Sequence, residues 1–195
     1  MYVAIEGVDT CGKSTQISLL RAHYPQAVFT KEPGGSVLGE HIRELILSTP
    51  QEQGFTLDEY AEFFLFLADR AQHCAQVLHP FRDRLIISDR SVISSIAYAK
   101  HIDMAQSIAL NHCALRGYFP DLVVILELEE KHLAKRLGQK AKDCIESRGI
   151  AYLLEIQARL IEASKRMGLR YYVINASKSK SEICEEIIHY IKEHS

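Results

Sequence analysis

Residues Gly7 to Thr15 read GVDTCGKST, and Gly7, Gly12, Lys13 and Ser14 fall at the spacing G-x-x-x-x-G-K-[ST]. The apolar run MYVAI precedes them. With a strand before and a helix after, the glycines let the backbone close on a phosphate. Successive N–H groups then form an anion nest at a helix N-terminus. Lys13 can reach the outer phosphates of a nucleotide, and the Ser14 hydroxyl can ligate magnesium. The competing reading is a chance glycine-rich turn that opens a helix. The loop supplies one cation, Lys13, and no arginine. The charge that builds up as a phosphoryl group moves therefore needs a partner from elsewhere. Cys11 lies among the same amides beside Lys13. Both features favour a thiolate, so its thiol is expected to be more reactive than an ordinary buried cysteine.

Short β-branched runs alternate along the chain with longer helical patterns. The strands expected are YVAIEG, AVFTKEP, RLIISDR, DLVVILEL and RYYVINAS, each nearly continuous in apolar residues, as in a parallel sheet covered on both faces. One helix starts in the phosphate loop and ends at Pro25; another runs from about Asp58 to His79. A third carries apolar residues at Ile150, Leu153, Leu154 and Ile161 and ends at Gly168. The last opens on a capping box, Ser179 with Glu182, and presents Ile183, Ile187 and Ile191. Strands alternating with helices predict a doubly wound α/β fold with five parallel strands. Ligands in such folds sit at the carboxyl ends of strands, and Asp9, Glu32 and the pair Asp89–Arg90 fall there.

A chain of 195 residues with 47% hydrophobic content is most simply one domain, 1–195. Lys plus Arg is 23 against 25 Asp plus Glu, a net charge of -2, which argues against a nucleic-acid binder. Runs such as FFLFLA and LVVIL are too short to span a membrane. The five cysteines contain no C-x-x-C pair and read as reduced thiols. A first strand that begins at Met1 leaves no room for a signal or transit peptide, and the expected compartment is the cytoplasm.

Three further stretches carry a resemblance. TKEPGG at Thr30–Gly35, FLFLADR ending at Arg70, and ISDRSVISSIAYA at Ile87–Ala99 are similar to the bacterial thymidylate kinases, across essentially the whole chain. The resemblance implies the fold of the nucleoside monophosphate kinases. It also implies the transfer of a phosphoryl group from ATP to dTMP, with Mg2+, giving dTDP for dTTP synthesis. The phosphate-loop motif itself makes Gly7, Val8, Asp9, Thr10, Cys11, Gly12, Lys13, Ser14 and Thr15 the expected ATP cradle, with Ser14 on magnesium. Asp89, at a strand's end, is expected to hold magnesium through water or to orient a phosphate ligand. A structural partnership of Asp89 with Lys13 or Arg90 is the alternative.

For the acceptor, the resemblance assigns Phe66 and Arg70 to thymine. Four residues apart, they share a helix face; a phenyl ring can stack on a pyrimidine while a guanidinium bonds its carbonyl edge. Phe66 as core and Arg70 as a solvated charge is the plainer reading. Arg43 and Arg90 match phosphate ligands, whose planar forks suit phosphate oxygens. Asp9 matches the residue that holds the sugar hydroxyl, against a simple turn-forming Asp. Pro33 and the EPGG glycines shape a loop against the acceptor, Glu32 is expected toward the sugar, and Ser94, Ser95 and Tyr98 match the thymine and sugar wall. Tyr98 is expected where a ribose 2′-hydroxyl would sit. The family usually has glutamine where this chain has Ala99.

Some family members carry a transition-state arginine inside the phosphate loop, where this chain has Thr10; others deliver it from a lid. The lid expected here is AKRLGQKAKDCIESRG, Ala134 to Gly149, with Arg136 and Arg148 as candidate cations beside Lys13 and Arg90. A solvated basic loop is the alternative, and Cys144 stands where the family often has an arginine. The helix EYAEFFLFLADRAQHCAQVL is apolar almost all round near Phe63 to Leu67. As the family forms homodimers, this helix is the candidate interface, against cover by an intramolecular helix. Another nucleoside or nucleotide kinase, or a non-catalytic nucleotide-binding module, would also keep the phosphate loop. A regulatory GTPase would show an N-K-x-D-type motif, which the sequence lacks.

Overall fold

The computed structural model describes residues 1–137 and 149–194. Five parallel strands form one sheet: β1 (Tyr2–Gly7), β2 (Val28–Lys31), β3 (Ile86–Asp89), β4 (Leu122–Glu127) and β5 (Tyr171–Asn175), in the order β2-β3-β1-β4-β5. These are the five runs expected from the sequence. The three inner strands are buried nearly throughout, and the edge strands β2 and β5 are mostly half-exposed.

The helices of the described residues are α1 (Lys13–His23), α2 (Val37–Leu47), α3 (Thr49–Gln53), α4 (Glu59–His73), α5 (Val92–Tyr98), α6 (Met104–Leu115), α7 (Glu130–Leu137), α8 (Gly149–Arg166) and α9 (Lys180–Glu193). From β1 the chain steps past β3 to the edge, and every later crossover steps the other way. Right-handed crossovers place α1 on one face and the helices of the later crossovers on the opposite face. The packing agrees: α1 lies against α9, while α5 lies against α8 and α4 against α2 and α6. The loop after β1 therefore diverges from those after its neighbours β3 and β4, opening a crevice at their carboxyl ends.

Register sharpens this. Ile5 pairs with Asp89 and Lys31 also pairs with Asp89, so Gly7, Asp89 and Glu32 end their strands side by side. The helices start where polar side chains take up their free amides: Ser36 for α2, Asp58 for α4, Ser91 for α5, Asp103 for α6, and Ser179 with Glu182 in a reciprocal box for α9. The helix expected to run to His79 is α-helical only to His73. Cys74–Leu78 forms a π-helical turn, which rotates the residues beyond it away from the α4 face. The expected lid begins inside α7, and residues 138–148, with Arg148 and Cys144, lie outside the described residues.

Candidate active site: a phosphate loop beside buried carboxylates

The loop after β1 turns on Gly7 (φ +146°) and Gly12 (φ +107°), with Thr10 also left-handed at φ +67°. A Cβ on Gly7 would come within 2.6 Å of the Cys11 sulfur and 2.7 Å of the Leu126 carbonyl oxygen, so no other residue fits there. Gly12 precedes α1 without any side-chain cap, in contrast to Ser36, Asp58, Ser91, Asp103 and Ser179. The first amides of α1 are thus left to a ligand. Lys13 folds back on the loop, its Nζ donating to the Gly7 and Val8 carbonyls at 2.9 and 3.1 Å, 3.9 Å from Asp9 Oδ1. Ser14, at the mouth of α1, is exposed and Thr15 half-buried.

Two residues behave otherwise than the sequence suggests. Cys11 is 1% exposed and packed into the core. Burial pushes its thiol up, and Lys13 only partly opposes this, so the expected reactive thiolate is corrected to an inert buried thiol. Arg136, from α7, lies on the loop's outer carbonyls. Its Nη1 donates to Thr10 O and Cys11 O at 2.9 and 3.0 Å, and its Nη2 to Ala176 O at 2.9 Å. It braces the loop from behind and ties it to the segment after β5.

Arg90 follows β3 in a left-handed conformation, φ +69°. That strain is held by its own N–H donating to Ile5 O (3.0 Å) and by the Ser88 hydroxyl donating to its carbonyl (2.7 Å). The geometry turns its guanidinium toward the phosphate loop. Nη2 donates to Asp9 Oδ1 at 2.7 Å, Nη1 to Ser94 Oγ at 2.9 Å, and the group lies 5.3 Å from the centre of the Tyr98 ring. Burial works against its charge, but Tyr98, Asp9, Glu6 and Asp89 outweigh that and raise its pKa. Burial pushes the Tyr98 phenol up to about 12, so it stays a neutral donor. Arg90 acts on that hydroxyl through its field, without a well-formed hydrogen bond. Thr10 Oγ1, Asp89 Oδ1, Ser95 Oγ and the Tyr98 hydroxyl are all buried without a partner. Unpaired buried polar atoms are costly, and these four belong to the phosphate loop, the end of β3 and α5.

A third group lies behind the EPGG loop. Arg70, 1% exposed, donates Nε and Nη2 to Glu32 Oε2 at 2.9 and 2.7 Å and Nη1 to Asn111 Oδ1 at 2.7 Å. His73 bridges Glu32 Oε1 (2.8 Å) and the Thr30 hydroxyl (2.7 Å). Burial opposes the charge of Glu32, yet Arg70 and His73 prevail and hold its carboxyl down at about 2. The sequence expectation turns Glu32 toward a sugar; the structure commits both its oxygens inside the chain. A Cβ on Gly35 would meet the His73 ring at 2.5 Å. Asp69 Oδ1 accepts from Gly34 N at 3.0 Å, and Arg43 Nη1 donates to Pro33 O at 3.0 Å, bracing the same loop. Phe66 is half-buried one turn before Arg70.

Comparison with known proteins agrees with this geometry. The thymidylate kinase pattern matches residues 5–187. The chain is 66% identical to the thymidylate kinase of Helicobacter hepaticus over 191 residues, 98% of each, and 52% identical to that of Wolinella succinogenes over 188 residues, 96% of each. The chain belongs to the thymidylate kinase family. A crystal structure of thymidylate kinase from Ehrlichia chaffeensis superposes with a TM-score of 0.75 over 98% of both chains at 24% identity, a likeness of fold.

In this thymidylate kinase family member, Arg90 brings Asp9, Ser94 and Tyr98 together beside Lys13. Ser95 Oγ and Asp89 Oδ1 make no hydrogen bond to that group, and Glu32 and Arg70 form a closed pair behind the EPGG loop. Sequence reasoning missed His73, Asn111 and Glu6. His73 is three residues after Arg70, a same-face spacing that was available as a signal. Nothing local marks Glu6, since it reads as one more position in a buried strand.

Proposed function

We propose that the chain transfers the γ-phosphoryl group of ATP to the phosphate of dTMP, giving ADP and dTDP, with magnesium accompanying the ATP. Family membership supplies the acceptor and the reaction, a step of dTTP synthesis; the donor, the metal and the residue roles are our reading. It is carried by the placement of Arg90, a rigid fork held beside the phosphate loop between Asp9 and Ser94. An anion nest and an arginine fork facing one another suit two phosphate groups meeting head on. Phosphoryl transfer needs chiefly such positioning and charge neutralisation.

In this reading the amides from Gly7 to Thr15 cradle the ATP phosphates, and Lys13 leaves the Gly7 and Val8 carbonyls to meet them. Ser14, at the start of α1, and Asp89, with Oδ1 unpartnered, fit a magnesium ion held partly through water. That ion supplies charge neutralisation across phosphate oxygens. Arg90 binds the dTMP phosphate and Asp9 the sugar hydroxyl, with Ser94, Ser95 and Tyr98 as the sugar and base wall. Phe66 stacks on the base. Arg70, whose fork is taken by Glu32 and Asn111, holds the shape of the EPGG loop with Glu32 and Pro33 rather than meeting the base. Arg43 reaches the dTMP phosphate from its place on the Pro33 carbonyl. Arg148 and Arg136 supply lid cations, Arg136 from its post on the loop.

The exposed side chains Tyr60 and Phe64, one turn apart on α4, with Leu38 and Leu45 on α2, form the face we assign to a homodimer. Among the described residues no helix is long and apolar enough to cross a membrane, and we place the enzyme in the cytoplasm. An ADP-release assay across dTMP, dUMP, dCMP, dGMP, AMP and thymidine tests the activity. Selective turnover of dTMP is expected, and comparable turnover of AMP or thymidine overturns it.

A further inference from the structure

Glu6 is the last residue of β1 before the phosphate loop glycine, and it is 0% exposed. A carboxylate so placed needs a reason, because its desolvation is expensive. Its partners all come from the far side of β3. Oε1 accepts from the Ser91 hydroxyl at 2.7 Å and from Ser94 N at 3.3 Å; Oε2 accepts from the Ser94 hydroxyl at 2.5 Å. Capping α5 accounts for only part of this: Ser91 accepts from Ile93 N and Glu6 Oε1 from Ser94 N, but the bond from the Ser94 hydroxyl to Oε2 caps no amide.

The Ser94 hydroxyl is the informative atom. It has one proton and two lone pairs. Its proton goes to Glu6, and on its other side Arg90 Nη1 donates to it at 2.9 Å. An ionised carboxylate can only accept. While Glu6 takes that proton, the hydroxyl must offer a lone pair to Arg90. Arg90's other anchor, Asp9, lies on the loop with its side chain 40% exposed, so the sheltered anchor is Ser94.

We propose that Glu6 is a positioning residue that orients the Ser94 hydroxyl so that Ser94 in turn holds the Arg90 fork at the acceptor phosphate. The proposal rests on the reading of Arg90 as the dTMP phosphate ligand. Glutamine at position 6 keeps the shape but presents an NH2 group to hydroxyls that need acceptors, which frees the Ser94 proton to turn against the guanidinium.

The test is steady-state kinetics on Glu6→Gln, Ser94→Ala, Ser94→Thr and Arg90→Ala, and on Glu6→Gln and Ser94→Ala each combined with Arg90→Ala. Glu6→Gln and Ser94→Ala should each raise the dTMP KM about tenfold, the scale of one charge-assisted hydrogen bond. The ATP KM should stay unchanged, and Ser94→Thr, which keeps the hydroxyl, should raise the dTMP KM less than Ser94→Ala does. In the Arg90→Ala background Glu6→Gln should add no further loss, and Ser94→Ala only the smaller one its own place in the sugar and base wall implies, because the group being held is gone. Equal losses with and without Arg90, or a matched rise in the ATP KM, would overturn the proposal and leave Glu6 a structural residue. An unaltered dTMP KM in Arg90→Ala alone would overturn the phosphate reading itself, a distinct result. Should Glu6→Gln fail to fold, the Ser94 variants carry the same cycle.

Discussion

The two halves of the site hold their charges in opposite ways. At the phosphate side, Lys13, Asp9 and Arg90 sit in partly open bonds, on loop carbonyls or on one another, and four buried polar atoms nearby have no partner. Behind the EPGG loop, Glu32, Arg70, His73, Thr30 and Asn111 form a closed network with both carboxylate oxygens used. Beside the phosphate loop the Arg90 fork is held, while unpartnered polar atoms next to it leave bonding capacity open. Groups that define a shape are bonded to completion, since a half-satisfied buried network is unstable.

The largest expected effect breaks the phosphate side in the transition state alone. Arg148→Ala should lower kcat by roughly 10³-fold or more, the scale of a delivered arginine, with dTMP KM nearly unchanged. Arg136→Ala should also raise the ATP KM, because that residue holds the Thr10 and Cys11 carbonyls. If neither single variant nor the double variant loses kcat, the segment is only a cover and Lys13, Arg90 and magnesium carry the charge.

Next comes a direct contrast in stability. Arg70→Met leaves the buried Glu32 carboxylate with His73 as its remaining partner, and should cost about 3–5 kcal/mol in urea unfolding. Arg90→Met breaks a pair whose partner Asp9 is 40% exposed, and should cost less than Arg70→Met. Equal losses would erase the distinction between the two halves.

The same contrast has a pH signature. Glu32 is held from 4.5 down to about 2 in the folded chain. Its stabilisation is therefore complete above 4.5 and is lost as pH falls through that window. Glu6 and Asp69, whose carboxyls burial raises, work in the opposite sense as they protonate. Unfolding measured across the window should show Glu32→Gln less acid-sensitive than the parent chain. A parallel pH dependence would show that Glu32 is not the responsible group.

The smallest effect concerns thiols. Among the described residues Cys113 is the exposed cysteine, with Cys11, Cys74 and Cys184 buried. Mass spectrometry after brief alkylation should find Cys113 modified and Cys11 intact, with activity retained. Early loss of activity through Cys11 would mean that the loop opens readily.

What the sequence by itself determined is what repeats over a few residues. The glycine spacing of the phosphate loop, the five apolar strands and the Ser179–Glu182 box all depend on neighbours within one turn or one pleat, and each stands where it was read. The family likeness rested on such short stretches too. The tertiary structure decided everything that joins distant elements. Arg70 meets Glu32 across 38 residues, Ser94 meets Glu6 across 88, and Arg136 reaches Thr10 across 126. It also turned Cys11 from an apparent nucleophile into core, because its sulfur packs against the Gly7 backbone at 1% exposure. The order β2-β3-β1-β4-β5 decides the charge pairs, since it sets which carboxyl ends lie side by side. Desolvation then settles each group's state. Neither strand order nor burial is written in local spacing, so the pairings emerge only when the sheet closes.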